Sequence, residues 1–473
     1  MRNRGITVLA EPQIPKHVQL RFAKISQETY ASANIFNGWN NAATHVEKMF
    51  IYQLEFYQKL KNEQYDLIMS EQMMYQQMLV NFLEIPNFLH IMNGPAEVDL
   101  YQKLREPLSH STEYNLMRQF HFGMEPEDQV QRRGENFLTQ LLQKSWLDWW
   151  SRQVFSKHVK EEPFSSGSKI NEQIDYIFKT RLQNLTLVLQ YEGVNPPSPM
   201  TPTVNYIVPK YKQQLQKLDT TMSQELKKFY QTYDKIVLVA FGTIYAPADF
   251  QLNEIIEFMK TASSKYNWAF VIVIKDEQLV RVLGKQGLEE LQKKFPKILK
   301  QTFVPQTTLL NHTHTKVFFT HGGQNSVIES QEYAKPMIVM PTAIYDQYLS
   351  CYYIEARQLG ACARDNTRQY FIKSLQKIEK NGFYQENLQQ MSRVIKESKN
   401  DRETLEYWVD YMFEVGVEQF KSTQYHKMTF IQFMEIDIFL VIYLVDFLIV
   451  RKVLKTSFQL LKYQTTRLFT QKH

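Results

Sequence analysis

Cysteine is nearly absent from this 473-residue chain. Cys351 and Cys362 are the only two, too few for a disulfide framework, and no CxxC or His/Cys cluster has the spacing of a metal site. No Asp-x-Asp occurs to clamp a phosphate through a divalent cation, and no G-x-x-x-x-G-K occurs to build a P-loop. Residues 1–20 contain no apolar run of seven and hold Arg2, Arg4 and Lys16, so they do not read as a signal peptide. No repeat of 20 to 50 residues is apparent. The formal charge of +6 is also less than it looks: residues 451–473 carry six bases and no carboxylate, which leaves the remainder neutral. A neutral body argues against a nucleic-acid footprint spread over a domain face.

What is present is globular. Apolar residues make up 44% and charged residues 22%, and the length suits two domains of ordinary size. The first part has a strand-like Ile6 to Leu9, amphipathic helical stretches around 20–62, a strand at Tyr65 to Met69, a helix at 72–83 and more helices over 126–155. Residues 194–203 (VNPPSPMTPT) are proline-rich and polar, hence loop. Strand and helix patterns then alternate from 235 to about 415, the sequence form of a parallel sheet with crossover helices.

The densest signal lies in 303–350. Lys316 to Thr320 is β-branched and aromatic and is stopped by Gly322-Gly323, so it reads as a buried strand ending in a tight turn. Ser326 sits three residues before Glu329, a capping-box spacing that predicts a helix start. Glycines between a strand and a helix N-terminus let the backbone approach a ligand, and the free N–H groups there favour an anion. His321, Asn325 and Ser326 add donors, which makes a diphosphate the natural guest.

The ordered set Phe303, Pro305-Gln306, Leu309-Leu310, His312, Thr320-His321-Gly322-Gly323, Asn325-Ser326, Glu329, Pro336-Met337 and Asp346-Gln347 resembles the signature block of the UDP-glycosyltransferase superfamily, the UDP-glucuronosyltransferases and UDP-glucosyltransferases. More weakly, 235–243 looks like the family's first C-terminal-domain strand, and 65–91 like part of its acceptor domain. The resemblance implies a GT-B-like α/β fold of two Rossmann-like domains facing a cleft, with a C-terminal membrane helix. It would divide the chain into an acceptor-binding domain at 1–205, incomplete because a first strand is missing, a linker at 206–232 and a UDP-sugar-binding domain at 233–420. A transmembrane helix at 430–450 and a basic cytosolic tail at 451–473 would follow.

By the same resemblance Phe303, where the family stacks a tryptophan on uracil, and Gln306 would hold the base, and Glu329 the ribose hydroxyls. Thr243, His321, Gly322, Gly323, Asn325 and Ser326 would cradle the diphosphate, and Asp346 and Gln347 would touch the sugar. No cofactor is implied beyond the UDP-sugar donor. The activity implied is inverting, metal-independent transfer of a hexose or hexuronate to a small lipophilic hydroxyl acceptor. Self-association is left open.

Three departures stand out. Four residues rather than three separate Pro341 from Asp346. Arg4 to Val8 looks like the family's second strand, so its first strand and catalytic-histidine loop have no counterpart, and His17 falls after the strand. Glu71 occupies the position of the aspartate that orients that histidine. The same residues therefore allow a second outcome, a non-catalytic, membrane-bound UDP-sugar-binding or scaffold protein. Residues 430–450 are long enough to span a bilayer, although Glu435, Asp437 and Asp446 interrupt them, and Arg451-Lys452 follow at once. With the family, they imply a single-pass endoplasmic-reticulum protein whose body is lumenal.

Overall fold

The computed structural model describes residues 55–63, 65–71, 87–92, 185–189, 204–207, 222–242, 247–342, 345–363, 365–397, 401–416, 432 and 436–470. Ile6 to Leu9, the helices at 72–83 and 126–155, the loop at 194–203, His17 and Thr243 lie outside them.

Two parallel sheets organise the described chain. The first has four strands in the order β1 (Leu67–Glu71), β2 (Asn87–Met92), β3 (Leu185–Leu189) and β4 (Val204–Ile207). Register pairs Ser70 with His90 and His90 with Thr186, so these three residues share one face. On the other face Leu89, Leu185, Leu187 and Ile207 pack with Val409 and Met412 of a helix far along the chain, Asp401–Glu414. Position 71 is the last residue of β1, at the carboxyl edge of this sheet.

The second sheet has six strands: β5 (Ile236–Ala240), β6 (Ala269–Val273), β7 (Ile298–Gln301), β8 (Thr315–Thr320), β9 (Met337–Val339) and β10 (Gly360–Cys362). Their spatial order is β10-β9-β8-β5-β6-β7. The order reverses between β5 and β8, and in open parallel sheets ligands bind outside the carboxyl ends of the strands at such a point. Both faces of the sheet are covered, which is why β5 reads as a continuous apolar run, IVLVA, with every residue buried. On one side Phe258, Phe270, Phe319 and Phe371 meet edge to face at centroid distances of 5.0–5.8 Å. On the other, Leu238, Phe318, Met337 and Val339 pack with helices 324–332, 345–356 and 383–397.

The two cysteines excluded from a framework form one bond: Cys351 and Cys362 are joined, eleven residues apart, with Cα atoms 4.8 Å from each other.

The C-terminal expectation is overturned. Residues 436–470 form one continuous 35-residue helix rather than a span ending at 450. Asp437, Asp446, Arg451, Lys452 and Lys455 punctuate it, and the longest stretch between charges in its first half is 438–445, far short of the roughly 20 apolar residues a bilayer requires. Among the described residues no helix is long and apolar enough to cross a membrane. The membrane partner, the single-pass endoplasmic-reticulum location and the cytosolic tail expected with that span lose their basis.

Candidate functional site

The chain leaves β8 at Thr320, turns through His321-Gly322-Gly323 and enters α1 (Gln324–Glu332). The helix therefore starts two residues before the expected capping box. Gly323 is the N-cap, without a side-chain cap hydrogen bond, and Ser326 already lies inside the helix. Val327 is the first residue whose N–H reaches back to the Gly323 carbonyl, at 3.1 Å. The N–H groups of Gln324, Asn325 and Ser326 precede that bond, so the first turn offers donors to an anion.

The glycines are fixed by space. Gly322 has φ +85°, and a Cβ there would sit 2.5 Å from Val339 Cγ1. A Cβ on Gly323 would come within 2.5 Å of His321 Nε2. From the neighbouring strand end, Gly242, φ +75°, faces the same imidazole, since a Cβ there would lie 3.1 Å from its Cε1. Two glycine turns thus close around His321. Burial depresses its pKa from 6.5 to about 4, which keeps the ring neutral across the physiological range. Nδ1 lies 3.4 Å from the Thr320 hydroxyl. The ring can serve an anion as a neutral hydrogen-bonding group.

This depression makes acid lability a measurable property. Between pH 6.5 and 4 the unfolded chain binds the His321 proton and the folded chain does not, so the stability contribution is full above about 6.5 and is lost as pH falls through that window. Urea denaturation of His321→Asn at several pH values should show a shallower loss of stability from pH 6.5 to 4 than the parent. Equal slopes would mean the imidazole is not buried neutral.

A second group lies along α1. Gln306 opens the helix α2 (Gln306–Asn311), which Leu309 and Leu310, both fully buried, anchor in the core. Its Nε2 donates to Glu329 Oε2 at 2.6 Å. Phe303, just before it, is 79% exposed while the adjacent Val304 is buried, so the chain presents the aromatic ring to solvent beside this pair. His312 has a structural role: its ring packs on Tyr230 at 4.7 Å, and Nδ1 accepts from the His314 N–H at 3.1 Å.

Asp346 and Gln347 lie on the first turn of α3 (Tyr345–Ala356). A Cβ on Gly322 would be 3.3 Å from the Gln347 carbonyl oxygen, so this turn rests directly on the glycine turn. Gln347 is buried, and its Oε1 accepts from the Thr342 N–H at 2.8 Å and hydroxyl at 3.1 Å. The Asp346 and Glu71 side chains lie outside the described residues.

Three features were not foreseen: the Gln306–Glu329 contact, the disulfide, and His90, a buried histidine on β2 beside Thr186 in the first sheet. A cavity of about 670 Å³ walled by Lys235, Trp268, His314, Lys316 and Glu379 does not belong to this site. Lys235 precedes β5, and His314 and Lys316 flank the start of β8, which puts the cavity at the opposite ends of the strands.

The family described as "UDP-glucoronosyl and UDP-glucosyl transferase" matches residues 10–472. The mouse UDP-glucuronosyltransferase 3A2 is 24% identical over 367 residues, 76% of this chain and 64% of that protein. The Arabidopsis thaliana UDP-glycosyltransferase 91A1 is 26% identical over 218 residues, 44% of this chain and 46% of that protein. The matches thus cover less than two thirds of these curated relatives. Among solved structures, a UDP-glucose: anthocyanidin 3-O-glucosyltransferase in complex with UDP superposes with a TM-score of 0.51 at 16% identity, over 80% of this chain and 82% of that one. Os79 from O. sativa, in complex with UDP, gives 0.51 at 14% identity, over 81% and 86%. At such identities the superpositions speak for the fold alone, two α/β sheets arranged as in GT-B proteins.

Proposed function

The chain belongs to the family of UDP-glucuronosyl and UDP-glucosyl transferases, and from that premise we propose that it moves a hexose or hexuronate from a UDP-sugar to a small lipophilic hydroxyl compound, with inversion and without a metal ion. The observation that carries the proposal is the Gln306–Glu329 pair at 2.6 Å, whose Glu329 lies on the same helix whose N-terminus is the glycine turn. Gly323 and Glu329 are six residues apart, about 9 Å along a helix rising 1.5 Å per residue. That separation suits a nucleoside diphosphate lying along α1: diphosphate on the first-turn N–H groups and His321, ribose hydroxyls on Glu329, uracil on Gln306 with Phe303 across its face.

In this reading the acceptor oxygen attacks the anomeric carbon from the side opposite the diphosphate. The new C–O bond forms as the bond to the β-phosphate oxygen breaks, the acceptor proton passes to a base, and UDP leaves. Charge grows on the departing oxygen in that step. Fixed N–H groups and a neutral imidazole stabilise it without reorganising. Asp346 and Gln347 are assigned to the sugar because their turn rests on the glycine turn. Glu71 is assigned to the acceptor side as the carboxylate that orients the base.

Glu329→Gln tests the donor assignment. Glutamine keeps the shape and can still accept from Gln306, but it gives up the charge that strengthens paired hydrogen bonds to two hydroxyls. Calorimetry in EDTA should show UDP binding weaker by about 1–3 kcal/mol. Unchanged affinity would remove Glu329 from the site.

A further inference from the structure

The Cys351–Cys362 bond touches the part of the donor site that α3 contributes, the Asp346-Gln347 turn. Cys351 lies one helical turn beyond Gln347 on α3, and positions four apart share a helix face. Both residues are buried there. On that same face, Ser350 Cβ would be 3.6 Å from a Cβ on Gly322, so the cross-linked surface of α3 is the surface that seats on the glycine turn.

The other sulfur belongs to β10, a three-residue strand that, among the described residues, pairs only with β9 and sets Cys362 beside Val339. Val339 is the residue that fills the space next to Gly322, and its carbonyl oxygen lies 3.2 Å from the Cys351 sulfur. The bond therefore fastens α3 to the sheet at the point where sheet, glycine turn and helix meet. Diphosphate and nucleoside contacts, by contrast, come from the glycine turn, α1 and α2, none of which carries either cysteine.

We propose that the Cys351–Cys362 disulfide is a positioning cross-link for the sugar end of the donor site: it holds the Asp346-Gln347 turn against the glycine turn, and opening it weakens recognition of the transferred sugar while leaving UDP binding intact. The inference rests on the donor-site reading above. Reduction is chemically simple. A dithiol such as dithiothreitol supplies two electrons and two protons, the S–S bond becomes two thiols, and the reagent leaves as its own cyclic disulfide. Because Cys351 is fully buried, the bond opens only as α3 lifts locally, which makes the cross-link slow to reduce in the folded protein.

The experiment compares the full chain in its oxidised form, the same chain after dithiothreitol, and the double variant Cys351→Ala, Cys362→Ala. Peptide mapping after alkylation without reductant should recover residues 351 and 362 as one cross-linked species. UDP affinity should stay within about twofold in all three forms, while kcat/KM for the UDP-sugar falls roughly 10- to 100-fold when the bond is open, the scale expected for a small misplacement of positioning groups. A merely structural bond would move both quantities together or neither. Two free thiols in the oxidised chain, or equal kcat/KM in all three forms with UDP still bound, would overturn the proposal. Failure of every form to bind UDP would instead overturn the donor-site reading, and this inference with it.

Discussion

Gly322→Ala should cost about 2–5 kcal/mol of stability and abolish detectable UDP binding. Two terms add. A side chain held at φ +85° costs roughly 1–2 kcal/mol because Cβ crowds the following carbonyl oxygen. The new methyl would also lie 2.5 Å from Val339 Cγ1, and forcing an extra carbon into a packed core costs roughly 1–3 kcal/mol more. Relief by rotating the turn would swing the Gly323 N-cap and the first-turn N–H groups off their positions, so binding suffers as well as stability. The two terms separate experimentally. Gly322→Ala combined with Val339→Ala should recover much of the steric share in urea titrations and none of the backbone share. A single variant as stable as the parent and still binding UDP would mean that the turn is not packed against Val339.

The glycine turn was legible in the sequence because strand, turn and helix each carried an independent signal. Lys316 to Thr320 has strand composition, and two consecutive glycines have few uses other than a tight, close-packed turn. The helix start was misread for a physical reason. Ser326 and Glu329 have capping-box spacing, but the glycine at 323 can end the strand and cap the helix by itself, and Glu329 is engaged by Gln306 from a different segment. Spacing along one chain says nothing of a partner 23 residues away.

The same limit hid the disulfide. Two cysteines eleven residues apart pair only if a helix and an edge strand bring their Cα atoms within bonding reach, which here they do. At the C-terminus the error ran the other way. Twenty-one residues rich in Ile, Leu, Phe and Val looked like a span because the average was apolar, whereas the helix continues to 470 and its charges recur too often for any bilayer-length segment. The first sheet was read through one of its strands, Tyr65 to Met69, which forms as Leu67–Glu71, and the shift of two residues takes Glu71 from beyond the strand end to its last position.

That shift gives Glu71 its test. The carboxyl ends of parallel strands are where open α/β sheets gather functional side chains, and Glu71 closes β1 at that edge with β2 paired beside it. If it orients the base that takes the acceptor's proton, Glu71→Ala should leave UDP affinity within about twofold and lower the rate of sugar transfer roughly 10²- to 10⁴-fold, the range spanned by loss of general-base catalysis and of its orienting carboxylate. Glu71→Asp, shorter by one methylene but still charged, should fall between alanine and the parent. Single-turnover transfer from a radiolabelled UDP-sugar to a phenolic acceptor reads the chemical step free of product release. The pH profile adds a control: a lost orienting carboxylate should move the acid limb, because the base's protonated form loses its stabilising partner and its pKa falls. Transfer by Glu71→Ala at the parental rate, with an unshifted profile, would take Glu71 out of the mechanism and leave the base to be sought elsewhere in the acceptor half.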